Sequence, residues 1–338
     1  MERMTLVALA ERTGLSVTTI SRVLSGQAEK YRISPKTVEY IKREAEQCNY
    51  RPNVMAQSLR TKRTRTIGLV VPAVSNPFFA NIASVIMLKA KELGYTVVLA
   101  DAMEDAEQEE EAIRSLLLRN VDGIIVSTSA ENPAFLEQIN EQTIPVVLID
   151  RYFSHSSLPY VVTDNYSGAT EAVGHLIARG HERIACICGV RHSEIVQERI
   201  RGYMDTMKRA GIEQFAKCVG DDFSVQNGYI ETKLLLNSGA KPTALFTMNN
   251  TILLGAIKAI KDSGLNIPED ISVVSFDDNP YLDYISPPIS RIVQPLNELG
   301  SIALRILVHS LEEGERSHTS IKLPPTLKVC ESVTAPKW

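Results

Sequence analysis

From Ile67 onward the chain alternates short apolar segments with longer amphipathic ones, and this alternation restricts its fold more than any other feature. Each apolar segment has the length of a strand, and each amphipathic segment has the length of a helix. Strands that alternate with helices form parallel sheets covered by helices on both faces. The predicted strands are residues 67–72, 96–100, 123–127, 146–150, 183–188, 244–248 and 271–276. The sequence therefore predicts an α/β core with doubly wound parallel sheets.

Polar residues follow almost every predicted strand. They are Ser75, Asn76, Thr128, Ser129, Asp150, Arg151, Asp164, Asn165, Arg191, His192, Asn249, Asn250, Asp277 and Asp278. The carboxyl ends of strands in an open α/β sheet face the ligand crevice, so these side chains are expected to converge on one ligand. For any single Asn or Asp, capping of a loop is the alternative.

A helix-turn-helix is predicted near the amino terminus. Apolar residues recur at helical spacing before Gly14, which allows a tight turn, and Ser16 then fits as the N-cap of a short second helix. Ile20, Val23 and Leu24 form the apolar face of that second helix. A third helix, starting at Ser34-Pro35, is predicted to close the small core.

Thr18 and Arg22 lie together on the opposite face of the second helix, one turn apart. In the major groove an arginine can donate two hydrogen bonds to guanine, and a threonine can bond either kind of base. The pattern favours base contact in DNA. A solvated surface helix in a three-helix domain is the alternative interpretation.

The charge distribution favours the DNA-binding interpretation. Residues 1–65 contain 13 Lys and Arg against 6 Asp and Glu, a net charge of +7, whereas the remainder contains 23 against 34, a net charge of −11. Positive charge confined to one segment is typical of a surface that neutralises phosphates. An acidic body attached to a basic amino-terminal domain indicates a regulator.

The segment after residue 50 has two possible interpretations. It contains five cations from Arg51 to Arg65, and Ala56 and Leu59 lie three residues apart as on one face of a helix. A flexible linker does not need that apolar pair, so a short helix capped by Asn53 is predicted. The expected domains are a headpiece at 1–50, a hinge helix and linker at 51–65, and a core at 66–338.

Other features exclude several classes of protein. The five cysteines are scattered and odd in number, and two of them lie in the apolar run RIACIC, so buried thiols are expected and no metal site is predicted. The phosphate-binding glycine loops, the G-x-S-x-G nucleophile motif and the H-E-x-x-H zinc motif do not occur, so no enzyme is predicted. No signal-peptide or membrane-spanning pattern occurs, so a cytoplasmic protein without a membrane partner is expected.

Eight motifs together resemble the LacI/GalR family of bacterial transcriptional repressors. They are TLVALAERTGLSVTTISRVLSG, NYRPNVMAQSLRTKRT, IGLVVPAVSNPFF, VVLIDR, VTDNYSGA, HLIARGHERIA, IPEDISVVSFDD and QPLNELG, in the order of the family and over nearly the whole chain. The resemblance implies a helix-turn-helix headpiece, a hinge helix that orders on operator DNA, and a two-lobed core. It further implies a homodimer that binds double-stranded operator DNA under the control of a small-molecule effector.

The resemblance also assigns site residues. Its DNA-contacting positions fall on Ser16, Val17, Thr18, Arg22, Asn53, Ala56 and Leu59, although helical spacing also allows Val17 to lie in the core. Its effector-contacting positions fall on Phe79, Asp150, Arg199, Phe223, Asn249 and Asp277, and the same crevice is bordered by Phe78, Arg151, Asp164, Arg191, His192 and Ser193.

These residues suit a polyhydroxylated ligand, with carboxylates and a guanidinium for the hydroxyl groups and phenyl rings for an apolar sugar face. A sugar is expected, and a phosphorylated or acidic sugar is the second candidate because Arg151, Arg191 and His192 add positive charge. A salt bridge that joins Arg199 to Asp277 without contacting any ligand is the structural alternative.

The chain departs from the family at several positions. The loop from Gln27 to Ile33 is longer than in the best-known members, and Val293 replaces the arginine that usually precedes Gln294-Pro295. A sugar-binding receptor without DNA function is the rival class for the core alone. The basic headpiece and the absent signal peptide count against that rival.

Overall fold

The computed structural model describes residues 4–50, 63–239 and 241–337. It divides into two compact units, with the boundary between Thr64 and Arg65. The expected hinge contacts at Asn53, Ala56 and Leu59 lie outside the described residues.

The first unit contains three helices, α1 (Leu6–Thr13), α2 (Val17–Leu24) and α3 (Pro35–Gln47). Each helix begins at a hydroxyl N-cap, Thr5, Ser16 or Ser34, whose side-chain oxygen accepts a hydrogen bond from a backbone N–H in the first turn. Gly14, at φ 66°, ends α1 in the left-handed conformation. The helices enclose a small apolar core formed by Leu9, Ala10, Ile20, Val23, Ile41 and Ala45. This is the predicted helix-turn-helix arrangement.

The second unit contains two six-stranded sheets. Sheet 1 is formed by β1 (Thr66–Val71), β2 (Thr96–Asp101), β3 (Gly123–Val126), β4 (Val146–Ile149), β5 (Tyr160–Thr163) and β11 (Ser320–Leu323). Sheet 2 is formed by β6 (Ile184–Ile187), β7 (Lys217–Val219), β8 (Ala244–Thr247), β9 (Ser272–Phe276), β10 (Ser290–Val293) and β12 (Thr326–Lys328). The strand orders are β11-β5-β4-β3-β1-β2 and β12-β10-β9-β8-β6-β7, so the two sheets share one topology. All described pairs are parallel except β10 with β12.

Helices connect the strands of both sheets. They are α4 (Pro77–Glu92), α5 (Ala106–Leu118), α6 (Ala134–Gln142), α7 (Asn165–Ala178), α8 (Glu194–Arg209), α9 (Val225–Leu236), α10 (Asn250–Lys261) and α11 (Leu296–Glu313). Short 3-10 helices lie at Glu213–Phe215 and Pro280–Asp283. Among the described residues, no helix is long and apolar enough to cross a membrane.

The chain passes between the two sheets three times, after β5, after β10 and after β11. These crossings define two lobes, lobe 1 around sheet 1 and lobe 2 around sheet 2. The carboxyl ends of parallel strands from both lobes therefore border a common cleft. The predicted two-lobed, doubly wound core is confirmed.

All seven predicted strands are present, and β5, β7, β10, β11 and β12 are additional. The sequence signal of these five is weak because they are only three or four residues long and four of them contain a lysine or an arginine. β7, β11 and β12 lie at sheet edges, where side chains need not be apolar. β10 is central but carries the buried Arg291, whose guanidinium pairs with Asp278 and Asp283.

Candidate DNA-contact face and effector cleft

The outer face of α2 carries the predicted base-contacting residues. Val17 is 39% exposed and Thr18 is exposed, so Val17 lies outside the headpiece core. Ser16 caps the helix, because its Oγ accepts a hydrogen bond from the backbone N–H of Thr19 at 3.1 Å. These positions leave Val17 and Thr18 free to approach a DNA groove, whereas Ser16 is engaged at the end of the helix. Base contact by these residues stays a prediction.

Arg22 contacts an aromatic ring that the sequence did not single out. Its Cζ atom lies 3.7 Å from the centroid of the Tyr31 ring, which is close enough for a cation–π interaction. Tyr31 is 41% exposed and belongs to the lengthened loop after α2. An aromatic residue among the basic residues of the headpiece was the available signal. The arginine that is expected to contact a base is therefore packed against Tyr31.

Eight of the twelve residues expected at the effector crevice border one small cleft between the lobes. From lobe 1 these are Phe78, Phe79, Asp150 and Arg151, and from lobe 2 they are Arg199, Phe223, Asn249 and Asp277. Some of them lie in the loops that follow strands, and others, such as Phe79 and Arg199, lie on the helices that come next. Parallel strands place their carboxyl ends at one edge, so segments far apart in sequence meet there. Asp150 follows β4 and Asp277 follows β9, which occupy equivalent positions in the two sheets.

Asp150 and Asp277 share an uncommon backbone conformation. Their φ angles are 65° and 77°, in the left-handed region that residues other than glycine seldom adopt. Both side chains are almost completely buried, at 3% and 5% exposure. A carboxylate held in a strained conformation in a buried cleft is typical of a functional site.

Burial makes ionisation of both carboxyl groups less favourable. Burial raises the pKa of Asp150 to about 6, although the neighbouring charges of Arg151 and Arg199 oppose this shift. Burial also raises the pKa of Asp277. The charge of Arg199 opposes this shift, and so does a hydrogen bond of 2.5 Å that Gln294 Nε2 donates to Asp277 Oδ1. The cleft thus holds acidic groups whose protonation is sensitive to pH and to a ligand.

Arg199 lies under the cleft without a direct ion pair to either carboxylate. Its Nε donates to Asn165 Oδ1 at 2.8 Å, its Nη1 donates to the Met248 carbonyl, and its Cζ lies 3.7 Å above the Phe276 ring. Among the described residues, no carboxylate oxygen lies within 4.0 Å of its guanidinium. The expected alternative, a direct Arg199–Asp277 salt bridge, is absent from this part of the chain.

Arg151 has a different partner. Its Nη2 and Nη1 atoms each lie 2.9 Å from a carboxylate oxygen of Glu104, and Nη1 also donates to the Thr128 carbonyl. Its Nε is buried and makes no hydrogen bond to the described residues. Its guanidinium lies 5.8 Å from the Phe79 ring centroid and 5.3 Å from the Phe223 ring centroid. The two phenyl rings therefore flank a cation that is already neutralised.

Four further residues that were expected at the crevice do not line this cleft. Asp164 is the N-cap of α7 and accepts hydrogen bonds from the backbone N–H and the hydroxyl of Ser167. The guanidinium of Arg191 donates to the carbonyls of Gly220 and Cys218. His192 lies with Ser193 along a neighbouring cavity and pairs with Glu131, at 3.3 Å from Nδ1 to Oε1. Asp164 and Arg191 are not among the residues that line the cleft.

Asn249 lines the cleft and also has a structural role. Its Oδ1 accepts a hydrogen bond from the backbone N–H of Ile252 at 2.8 Å and so caps α10. Asn249 therefore has the capping role that was the alternative for any single Asn or Asp, and its side chain also borders the cleft. The backbone N–H of the next residue, Asn250, bonds to the carboxylate of Asp277.

Asn76, one of the polar residues expected to converge on a ligand, also lines the cleft. Three other lining residues were not identified from the sequence, namely Glu104, Ile195 and Gln294. Gln294 lies where the chain crosses between lobes, accepts a hydrogen bond from the Thr163 hydroxyl and donates one to Asp277. The Gln294-Pro295 motif was the available signal, whereas nothing near Glu104 in the sequence indicates its pairing with Arg151.

The space inside the cleft is small, at about 20 Å³, enough for a single water molecule. A second cavity of about 200 Å³ adjoins it, and Glu104 and Arg151 border both. A ligand of monosaccharide size therefore requires the lobes to separate, or needs side chains between the two cavities to move.

The comparisons with known proteins cover both units. Residues 5–53 match the family model of bacterial regulatory proteins of the lacI family. Residues 64–318 match the model of periplasmic binding proteins and the sugar binding domain of the LacI family. Over 98% of both chains, the sequence is 33% identical to the HTH-type transcriptional regulator DegA of Bacillus subtilis.

Two solved structures are similar in fold. A lac repressor dimer bound to operator and the anti-inducer ONPF has a TM-score of 0.88 and 28% identity, with 99% of this chain and 100% of the repressor covered. A LacI family transcriptional regulator from Enterococcus faecium with bound ribose has a TM-score of 0.73 and 30% identity, with 80% of this chain and 100% of that regulator covered.

Proposed function

The chain belongs to the LacI family of bacterial regulatory proteins, and we propose that it is a homodimeric repressor released from its operator, or recruited to it, by a neutral sugar. It is a sequence-specific DNA-binding transcriptional regulator whose operator affinity depends on a small molecule. Its relatives are regulators, and no catalytic role is included in the proposal. A bacterial regulator acts where the DNA is, so the proposal includes action in the cytoplasm.

One observation supports the proposed cleft above all others. Asp150 and Asp277 follow strands of different lobes and Arg199 lies on α8, and all three line the same space although none is paired directly with another. Buried charged groups usually pair with each other or bind a ligand. A carboxylate can accept two hydroxyl groups while a guanidinium donates to their neighbours, which suits a sugar.

The charge around the cleft favours a neutral sugar over a phosphorylated or acidic one. Arg151 is paired with Glu104 and His192 is paired with Glu131, so two of the three cations that favoured an acidic ligand are already compensated. The third, Arg191, donates to two backbone carbonyls. Apart from the Arg151–Glu104 pair, the cleft is lined by two carboxyl groups, Asp150 and Asp277, and one guanidinium, Arg199. The excess of acidic groups disfavours a phosphate or a carboxylate there.

A thermal-shift screen tests the ligand class. Neutral monosaccharides, ribose included, and their phosphate esters are each added to the full-length protein, because a ligand that binds only the native state raises the melting temperature. We expect a neutral monosaccharide to produce the largest increase and also to change the affinity for operator DNA. Increases caused only by sugar phosphates would contradict the proposed ligand class, and no increase with any sugar would contradict the sugar itself.

Sugar affinity is further expected to fall as the pH decreases below about 6, the pKa of Asp150. The folded pKa lies above the ordinary value of 3.8, so the carboxyl group binds its proton as the pH falls through this value and then accepts hydroxyl groups less strongly. If only the ionised form binds, the affinity falls about tenfold for each pH unit.

The raised pKa of Asp150 also makes the stability of the free protein depend on pH, because the native state binds the proton more tightly than the unfolded chain does. This stability changes with pH in the direction opposite to the sugar affinity. The contribution of Asp150 therefore makes the apo protein less stable as the pH rises from about 4 to about 6. Calorimetric titration with the sugar across this range, repeated with Asp150→Asn, measures the dependence. A profile that is unchanged in the variant would assign it to another group.

A further inference from the structure

Three cysteines that are scattered in the sequence come together in lobe 2. Cys186 and Cys188 lie two residues apart at the end of β6, so both point to the same face of the sheet. In the parallel pairing of β6 with β7, Cys186 lies opposite Cys218. The three sulfur atoms lie within 4.8 Å of one another, and those of Cys186 and Cys188 are 3.9 Å apart. Strand register thus brings Cys218 next to Cys186 and Cys188, which lie about thirty residues earlier in the sequence.

We propose that Cys186, Cys188 and Cys218 form a binding site for one monovalent copper ion, Cu(I). With metal–sulfur distances of about 2.3 Å, three sulfurs around one ion lie about 4 Å apart, which is close to the spacing that the thiols already have. The ligands are thiolates alone, and such soft ligands select Cu(I) and Zn²⁺ over harder ions. In the described chain no His, Asp, Glu or further Cys joins the group. Structural zinc sites require four protein ligands, so three sulfurs suit Cu(I) better.

Neighbouring hydrogen bonds hold the two strands of the cluster together, and one of its thiols is accessible from solvent. Across the two strands, the Tyr203 hydroxyl donates to the Ile184 carbonyl at 2.7 Å and accepts from the Lys217 backbone N–H at 2.8 Å. This bridge holds β6 and β7 together next to the thiols. Cys186 and Cys188 are completely buried, whereas Cys218 lies near the sheet edge and is partly exposed. An ion can therefore reach the cluster from the side of Cys218.

Charge near the cluster favours thiolate ligands. Arg191 places its guanidinium beside β7, where Nη2 donates to the Cys218 carbonyl at 3.1 Å. Its positive charge partly offsets the net charge of −2 that three thiolates and one Cu(I) would carry. Binding releases the three thiol protons to the solvent.

Competition with a chromogenic Cu(I) chelator tests the site. The full-length reduced protein is titrated, without oxygen, into the Cu(I)–bicinchoninate complex, and the loss of its absorbance measures transfer of the ion. We expect one equivalent of Cu(I) to be transferred per chain. Cys218→Ser and Cys188→Ser should each lower the affinity more than tenfold, and circular dichroism melting verifies that they fold.

The remaining cysteines provide matched controls. Two substitutions remove thiols outside the cluster, Cys48→Ser at the C-cap of α3 and Cys330→Ser after β12. Both should leave Cu(I) transfer unchanged. Transfer that persists in both Cys218→Ser and Cys188→Ser, or that is lost in Cys48→Ser or Cys330→Ser, would overturn the site. Tighter binding of Zn²⁺ than of Cu(I) by the same three thiols would overturn the choice of ion.

Discussion

Replacing Asp277 with Asn is expected to weaken sugar binding by about tenfold or more while the free protein keeps its operator affinity. The substitution keeps the shape of the side chain but replaces one carboxylate oxygen with a group that cannot accept a hydrogen bond. It also removes the negative charge that interacts with Arg199 in the same lobe. Isothermal titration with the sugar found in the screen measures the loss.

Arg199→Ala should weaken sugar binding by a similar factor and should also lower the melting temperature. The second effect follows because Arg199 donates hydrogen bonds to Asn165 and to the Met248 carbonyl, and buried acceptors left without donors cost about 1–3 kcal/mol each. Arg199→Lys retains the charge and should lose less stability. Comparison of these two variants separates ligand contact from support of lobe 2.

Asp164→Asn is the matched control for the cleft. Asp164 caps α7 from outside the cleft, and asparagine is as good an N-cap as aspartate, so this variant should bind sugar and melt like the original protein. Normal sugar binding by Asp277→Asn, or an equal loss in Asp164→Asn, would move the ligand away from the proposed cleft.

Arg22→Ala is expected to reduce the affinity for the operator by about 1–3 kcal/mol and to leave affinity for random DNA almost unchanged. The reason is that a guanidinium bonded to guanine contributes only on the correct sequence, whereas a phosphate contact contributes on any sequence. Electrophoretic mobility shift assays on operator and random duplexes, at one salt concentration, give both values. Equal losses on the two duplexes would assign Arg22 to a phosphate.

Tyr31→Leu tests whether the aromatic ring positions Arg22. It removes the cation–π contact at 3.7 Å and should give a smaller operator-specific loss than Arg22→Ala. In the double variant, the effect of Tyr31→Leu should largely disappear, because the residue through which it acts is absent. Arg43→Ala is the matched control, since Arg43 has its own aromatic partner, Tyr40, on α3. Additive losses of Arg22→Ala and Tyr31→Leu would show that Tyr31 does not act through Arg22.

Much of the fold and of the candidate site follows from local sequence patterns. Helical spacing, hydroxyl N-caps and Gly14 define the headpiece, because each acts within a few residues along the chain. The alternation of apolar strands and helices leads to parallel sheets, and the carboxyl ends of such strands must share an edge. That topological necessity explains why eight of the twelve residues expected at the effector crevice border one cleft.

Only the tertiary structure decides how those residues are paired. Arg151 pairs with Glu104, which follows another strand. Arg199 and Asp277 border the cleft without a direct ion pair. Sequence spacing carries no information on either outcome. Tyr31 reaches Arg22 through the conformation of a loop. Cys218 reaches Cys186 through the register of a three-residue edge strand that has no distinct sequence pattern. Local propensity acts over a few residues, while pairing between distant segments depends on how the whole chain packs.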